Sequence, residues 1–105
     1  MDIQLKRGLL EVCVLSALRN GESYGYRMLQ QMQPYVAMSE STLYPILRRL
    51  EAAQMVQVRT VAHNGRLRKY YSITPAGLAR LEAFRGDWEE ICTIYRFVTR
   101  EGTKR

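Results

Sequence analysis

Residues 41–50, STLYPILRRL, carry two interleaved sets of side chains. Leu43, Ile46, Leu47 and Leu50 stand at i, i+3, i+4 and i+7, the spacing of one apolar helix face. Stepping about 100° per residue places Ser41, Tyr44, Pro45, Arg48 and Ala52 on the opposite arc, with Arg49 at its edge. That outer arc has no carboxylate. With Ser39 and Thr42 at its start, it offers hydroxyls, one aromatic ring and guanidinium groups. These are the groups that hydrogen-bond phosphate oxygens and base edges. The positive end of the helix dipole, with serines beside it, also suits phosphate. The plainer reading of the arginines is a solvated face with an i, i+3 pair from Arg48 to Glu51.

Pro45 lies inside this pattern, where a proline removes a helix hydrogen bond. If Ser41 caps the helix, Pro45 is its fourth residue and one intrahelical bond is lost. If Ser39 caps it, Pro45 lies deeper and a bend is expected. The sequence leaves both open.

A second basic group follows. Arg59, His63, Arg66, Arg68 and Lys69 lie on or beside one predicted hairpin that has no acidic residue. In MVQVRTV, Val56 and Val58 alternate with Gln57 and Arg59, as in a half-buried strand. Asn64-Gly65 is a hairpin-turn signal, because both residues tolerate positive φ. LRKYYSIT returns, with Tyr71 and Ile73 on one face and Tyr70 and Ser72 on the other. Basic residues also guard strand edges. Two basic elements adjacent in one small chain favour a shared polyanionic partner instead. His63 has no Cys or second His to work with and reads as a turn residue.

The remaining elements must position these two. LKRGLLEVCVLSALR, residues 5–19, reads as a first helix whose second half is apolar on nearly every side. Such a helix is buried on most sides. Gly21 in NGES is its expected stop. Ser23 is placed to cap a second helix over residues 24–33, with Tyr26, Leu29 and methionines as apolar content, ended by Pro34. The third helix covers SESTLYPILRRLEAAQ. Thr74-Pro75 opens a last helix, Thr as N-cap and Pro at its first position, running to about Arg100. Leu81, Phe84, Trp88, Ile91, Tyr95 and Val98 follow a 3-4-3-4-3 spacing, the seam along which helices pack on each other. That seam could pack on its own core. The surplus apolar surface of the first helix favours two chains sharing these faces. EGTKR is a polar, basic tail.

The totals agree. A chain of 105 residues is one domain with one modest core. Sixteen Lys and Arg against ten Asp and Glu give +6, which favours nucleic acid or an anionic surface as partner. The longest apolar run, residues 9–18, is too short to cross a bilayer, and no secretory signal is evident. Cys13 and Cys92 fall in apolar helical patterns and read as small buried hydrophobes in a reducing cytoplasm. No C-x-x-C and no His/Cys cluster is present, so no metal or other cofactor is expected.

Three helices, a hairpin and a helix spell a mainly α fold with a small β-hairpin. It is a winged helix-turn-helix over residues 1–74, followed by a dimerisation helix and tail over residues 75–105. SYGYRMLQQM, STLYPILRRLEAAQMV and GRLRKYYSITPAGLARL resemble the PadR family of bacterial transcriptional regulators. The resemblance runs from about residue 8 to residue 98. It implies a dimeric winged-helix repressor of double-stranded DNA, usually with a small-molecule inducer. By the same resemblance, Tyr44 and Arg48 of the third helix, with Arg68, Lys69 and Tyr70 of the wing, would contact an operator. The wider expected DNA-binding set adds Ser39, Ser41, Thr42, Pro45, Arg49, His63 and Arg66.

A single C-terminal helix places the chain among the short members of that family. Some of these resemble multidrug sensors in which a tryptophan from each chain flanks a flat ligand, and FRGDWEEI puts Trp88 in the matching place. Leu9, Val12 and Ser16, on one side of the first helix, are the geometric candidates for the rest of that planar aromatic site. The expected homodimer interface comprises Leu9, Cys13, Leu81, Phe84, Trp88, Ile91, Tyr95 and Val98. Three rivals make different demands. A winged helix used for protein–protein contact would show no salt-dependent DNA binding. An enzyme would need a nucleophile–base pair or a phosphate-cradling glycine loop, and none is visible. A membrane-surface protein would carry its basic residues along an amphipathic helix with an apolar insertion face.

Overall fold

A computed structural model describes residues 1–101. The tail after Glu101 lies outside the described residues. Six elements follow one another: α1 (Ile3–Ala17), α2 (Gly25–Met32), α3 (Glu40–Ala52), β1 (Val56–His63), β2 (Arg66–Ile73) and α4 (Pro75–Val98). The mainly helical fold with one two-stranded sheet is the one the sequence implies.

α1 begins earlier than the apolar pattern indicates. The Asp2 carboxylate accepts from the Leu5 N–H at 3.0 Å, which caps the helix at its entry. Its second half supplies Val12, Val14, Leu15 and Leu18 to the core. The expected Ser23 cap does not form. Ser23 instead exchanges backbone hydrogen bonds with Tyr71, and its hydroxyl accepts from Arg27 Nε at 3.0 Å. Tyr24 precedes α2 without a side-chain cap. Tyr26, assigned to the apolar content of α2, is exposed, whereas Met28 and Met32 fill the core.

In α3 the buried residues are Leu43, Ile46, Leu47 and Leu50, the stripe set by their spacing. Ser39 is the N-cap residue, so Pro45 occupies the deeper of its two possible positions. The helix stops at Ala52, two residues short of expectation. Met55 N–H bonds Leu50 O at 2.8 Å and Gln54 N–H bonds Glu51 O at 2.9 Å, the paired bonds of a Schellman stop. Gln54 takes the left-handed position there, φ 61°, where glycine is usual. The Thr74 hydroxyl holds it by donating to Gln54 O at 2.7 Å. The Thr74 hydroxyl oxygen in turn accepts from Gly77 N–H at 3.1 Å and caps α4. One side chain thus fixes where α3 ends and where α4 starts.

β1 and β2 pair antiparallel, from Val56 opposite Ile73 to His63 opposite Arg66. Asn64 (φ 50°) and Gly65 (φ 76°) form the two-residue turn, both positive as the hairpin twist requires. Val56 and Tyr71 are buried on the core face. α4 leaves the hairpin and packs on α1, with Leu81 buried and Phe84 half-buried. Beyond Phe84 the helix runs free of the core, and the molecule measures 69 × 26 × 22 Å. Both cysteines are free and half-buried rather than fully buried. Burial also pushes the Cys13 thiol up from its ordinary value.

Gly77 is required where α4 passes the end of α3. A Cβ there would collide with Met55 O and lie 2.6 Å from Ile73 Cγ1. Gly77→Ala should therefore cost about 1–3 kcal/mol, toward the upper end because a backbone carbonyl cannot swing aside. Urea denaturation checks this, and a variant as stable as wild type would show that the junction is loose.

Candidate nucleic-acid interface

An open cleft of about 950 Å³ separates α3 from the hairpin. Tyr44, Arg48 and Glu51 line it from α3, and Tyr24, Gly25 and Tyr26 from the start of α2. His63, Arg66, Leu67, Arg68 and Lys69 line it from the hairpin, with Tyr71 at the base. The apolar stripe of α3 faces the core, so its register turns Arg48 outward beside the wing. Among the described residues, Glu51 is the only carboxylate lining the cleft. The expected outer face of α3 lacked an acid, and Glu51 at the cleft edge corrects that.

Tyr44 is half-buried rather than free in solvent. Its ring lies across Gly25, where a Cβ would stand 2.9 Å from Tyr44 Cζ. Glycine at residue 25 is what lets the ring approach α2. Pro45 is half-buried as well. Ser39, Ser41 and Thr42 are exposed and cluster at the start of α3, outside the cleft. Ser39 Oγ lies 2.9 Å from Ser41 Oγ and donates to Thr42 Oγ1 at 3.3 Å.

Arg49 does not join the cleft. Its Nε donates to Glu11 Oε2 of α1 at 3.3 Å, so this cation bridges two helices. The Arg48 to Glu51 pair of the plainer reading is not among the ion pairs of the described residues.

A second arrangement emerges at the wing's root. The Arg68 guanidinium sits 4.2 Å from the Tyr24 ring centroid, and Arg68 Nη1 lies 3.5 Å from the Tyr70 hydroxyl. Tyr24 and Tyr70 meet edge to face at 5.6 Å. Arg27 covers Tyr24 at 4.9 Å, and Arg59 covers Tyr70 at 5.2 Å. Arg59 also grips the Glu22 carboxylate through both Nε, at 2.9 Å, and Nη2. Tyr70 is thus a half-buried member of this cluster and does not line the cleft. Glu22, Tyr24 and Arg27 went unread as site residues. Their signal was the SYGYR stretch, whose tyrosines sit at a helix entrance where apolar packing alone would not demand them.

The expected ligand and dimer residues lie at the other end. Leu9 and Cys13 are half-buried on α1, and Ser16 is exposed. Val12 is 6% exposed within the single chain, so it belongs to the core and not to an open pocket wall. On α4, Leu81 and Phe84 pack on their own core, whereas Trp88 (50% exposed), Ile91, Tyr95 and Val98 are uncovered. Phe84 and Trp88 stack with centroids 6.3 Å apart.

The description "Transcriptional regulator PadR-like family" matches residues 14–83, about two thirds of the chain. The chain belongs to the PadR-like family of transcriptional regulators. It is 32% identical over 89 residues to the transcriptional regulator Rv3488 of Mycobacterium tuberculosis, covering 84% of this chain and 83% of that one. A PadR family transcriptional regulator from Eggerthella lenta superposes with a TM-score of 0.83 at 30% identity, over 94% of this chain and 89% of that one. Bacillus subtilis PadR in complex with operator DNA shares the fold, with a TM-score of 0.67 at 23% identity, over 91% of this chain and 50% of that one. The family and the relatives it matches are transcriptional regulators, not enzymes.

The Arg59 guanidinium holds the Glu22 carboxyl below its ordinary range, chiefly through their hydrogen bonds. A depressed carboxyl contributes stability that is present above its unfolded value and lost as pH falls through its folded value. Hairpin amides should therefore be better protected from hydrogen exchange in wild type than in Glu22→Gln at neutral pH. The difference should close in acid. A gap that does not change with pH would remove Glu22 as the wing's anchor.

Proposed function

We propose that this PadR-like regulator is a homodimeric, ligand-responsive repressor that reads a near-palindromic operator in double-stranded DNA. The observation that carries the reading is the convergence of Arg48 from α3 with Arg66, Arg68 and Lys69 from the hairpin on one cleft. A recognition helix seats its outer face in the major groove, and a wing beside it grips the adjacent backbone. Tyr44 and Arg48 take the base-reading role. Arg66, Arg68 and Lys69 take phosphates, and the hydroxyls of Ser39, Ser41 and Thr42 flank the helix entry. The fold is shared with a PadR protein in complex with operator DNA, which supports DNA as the partner. Residues 1–74 form the DNA-binding unit and residues 75–105 the dimerisation unit. The protein acts in the cytoplasm; among the described residues no helix is long and apolar enough to cross a membrane.

The uncovered seam of α4 supports the dimer. Trp88, Ile91, Tyr95 and Val98 form a continuous apolar stripe that this chain leaves to solvent. A two-fold axis along the stripe lets each copy cover the other, with Leu9 and Cys13 of α1 at the margin. It also brings the two Trp88 indoles near the axis, where a planar aromatic inducer would stack between them, each ring worth about 0.5–1.5 kcal/mol beyond area burial. Leu9 and Ser16 remain available to flank it.

Arg48→Ala should weaken binding to the selected operator by about 1–3 kcal/mol and relax its sequence preference. Lys69→Ala should weaken binding to every sequence and flatten the salt dependence. Binding-site selection from random DNA followed by titration at several salt concentrations separates the two. Equal losses on specific and random DNA would demote Arg48 to a phosphate contact, and no wild-type binding at low salt would end the DNA reading.

Dimer and inducer site are tested on one sample. Wild type should sediment as a dimer at low micromolar concentration, and Ile91→Asp should not, because it places an unpaired charge in the seam. Planar aromatic dyes should then quench Trp88 emission saturably in the wild-type dimer. A folded wild-type monomer refutes the shared seam, and emission indifferent to a broad dye panel refutes the inducer site.

A further inference from the structure

Three residues, Glu22, Ser23 and Tyr24, engage three arginines from three elements, each in a different way. The Glu22 carboxylate takes Arg59 of β1, and the field of Arg27 reaches the same carboxylate. Arg27 of α2 donates to Glu22 O at 2.8 Å and to Ser23 Oγ at 3.0 Å. Arg68 of β2 meets only tyrosines: its guanidinium carbon lies over the Tyr24 ring, 4.2 Å from the centroid, and the Tyr70 hydroxyl lies beside Nη1. Among the described residues it pairs with no carboxylate.

The difference matters for a polyanion. The Glu22 carboxylate already offsets the charge of Arg59. Arg68 keeps its full charge, and a stacked guanidinium retains the N–H donors along its edge. A long side chain on a strand loses rotamer freedom when it binds a phosphate, and an aromatic ring beneath it imposes that order beforehand. Tyr24 is well placed to do so. The backbone of its neighbour Ser23 is fixed by two hydrogen bonds to Tyr71, and Tyr24 itself opens α2.

We infer that Tyr24 is a positioning residue for DNA binding, its ring holding the Arg68 guanidinium flat so that the free edge faces a backbone phosphate across the cleft. The inference rests on the DNA reading above and adds a residue outside the recognition helix and the wing. Tyr24 itself touches no phosphate in this arrangement. It acts through Arg68, and its effect is confined to the sequence-independent part of the affinity.

The test uses the full chain and a random-sequence duplex at low salt, which needs no knowledge of the operator. Tyr24→Leu should weaken binding about two- to fivefold, the size of one exposed cation–π contact, and Tyr24→Phe should bind as wild type. In an Arg68→Ala background, Tyr24→Leu should cause no further loss. A role in fold stability alone would give the same loss in both backgrounds, and that result overturns the inference. Arg68→Lys keeps the charge but not the flat stacking surface, and it leaves the Ser23–Tyr71 backbone bridge and the Tyr24 ring in place, so it reports even if Tyr24→Leu does not fold. It should lose as much as Tyr24→Leu, and wild-type affinity for Arg68→Lys overturns the inference by a second route. The Arg68 Nε–H resonance of the DNA-free protein should carry a ring-current shift that Tyr24→Leu removes. A wild type that binds no duplex defeats the DNA reading, and the inference falls with it. A wild type that binds, with additive losses, defeats only the inference.

Discussion

The Ser23 and Tyr71 backbones exchange two hydrogen bonds, at 3.0 and 2.7 Å, and the cleft depends on that exchange. A two-stranded hairpin is marginal alone in water. The bridge gives β2 a second neighbour and ties the wing to the entrance of α2. It also sets the phase of the strand. With Tyr71 buried, strand alternation assigns Leu67 and Lys69 to its face and Arg68 and Tyr70 to the other. A slip by one residue would exchange the two sets, burying Tyr70 and separating Arg68 from Tyr24. The positions of the wing cations therefore follow from one pair of backbone bonds two residues before α2 begins.

The same economy governs charge. The chain is strongly basic, but its arginines are not equivalent. Arg49 bridges to Glu11, Arg59 to Glu22 and Arg85 to Glu82. All three are surface pairs, each of small energetic weight. Their effect is on where uncompensated charge remains. Arg48, Arg66, Arg68 and Lys69 line the cleft with Glu51 as its single acid among the described residues. Between α3 and the wing four cations thus stand together with one acid, although the sequence spreads its cations along the whole chain.

Elements governed by periodicity and local chemistry were legible in the sequence. The α3 stripe, the Asn64-Gly65 turn and the Thr74-Pro75 helix start each follow from residue types at fixed spacing. The outcome of competition between distant partners was not. Ser23 has the chemistry of a cap, yet a strand 48 residues later uses its backbone and Arg27 uses its hydroxyl. Arg49 sits at the edge of the outer arc, where a rotation of a few tens of degrees decides between groove and neighbouring helix. Glu11, 38 residues away, settles it. Tyr44 reads as an exposed ring until Gly25 is brought beside it. Val12 fits a one-sided pocket stripe, but α1 is buried on more than one side, so the core takes it.

The two ends of the molecule then differ in kind. Around α1, α2 and α3 the chain closes a core in which Val14, Leu15, Leu18, Met28, Leu43 and Leu47 are essentially sealed. Along the outer part of α4 it seals nothing: Ile94, Tyr95, Phe97 and Val98 are all more than half exposed. A stripe of this length carries a standing hydrophobic penalty of about 25 cal/mol for each Å² left in water. Single exposed apolar residues need no explanation, but a contiguous run does. The chain cannot fold back to cover it, because α4 begins at the Thr74 junction and extends away from the core. That junction is rigid: one threonine hydroxyl joins the stop of α3 to the start of α4. Whatever covers the stripe is thereby held at a fixed angle to α3, and so to the arginines of the cleft. The core end and the seam end are thus joined through the Thr74 hydroxyl at the α3–α4 junction.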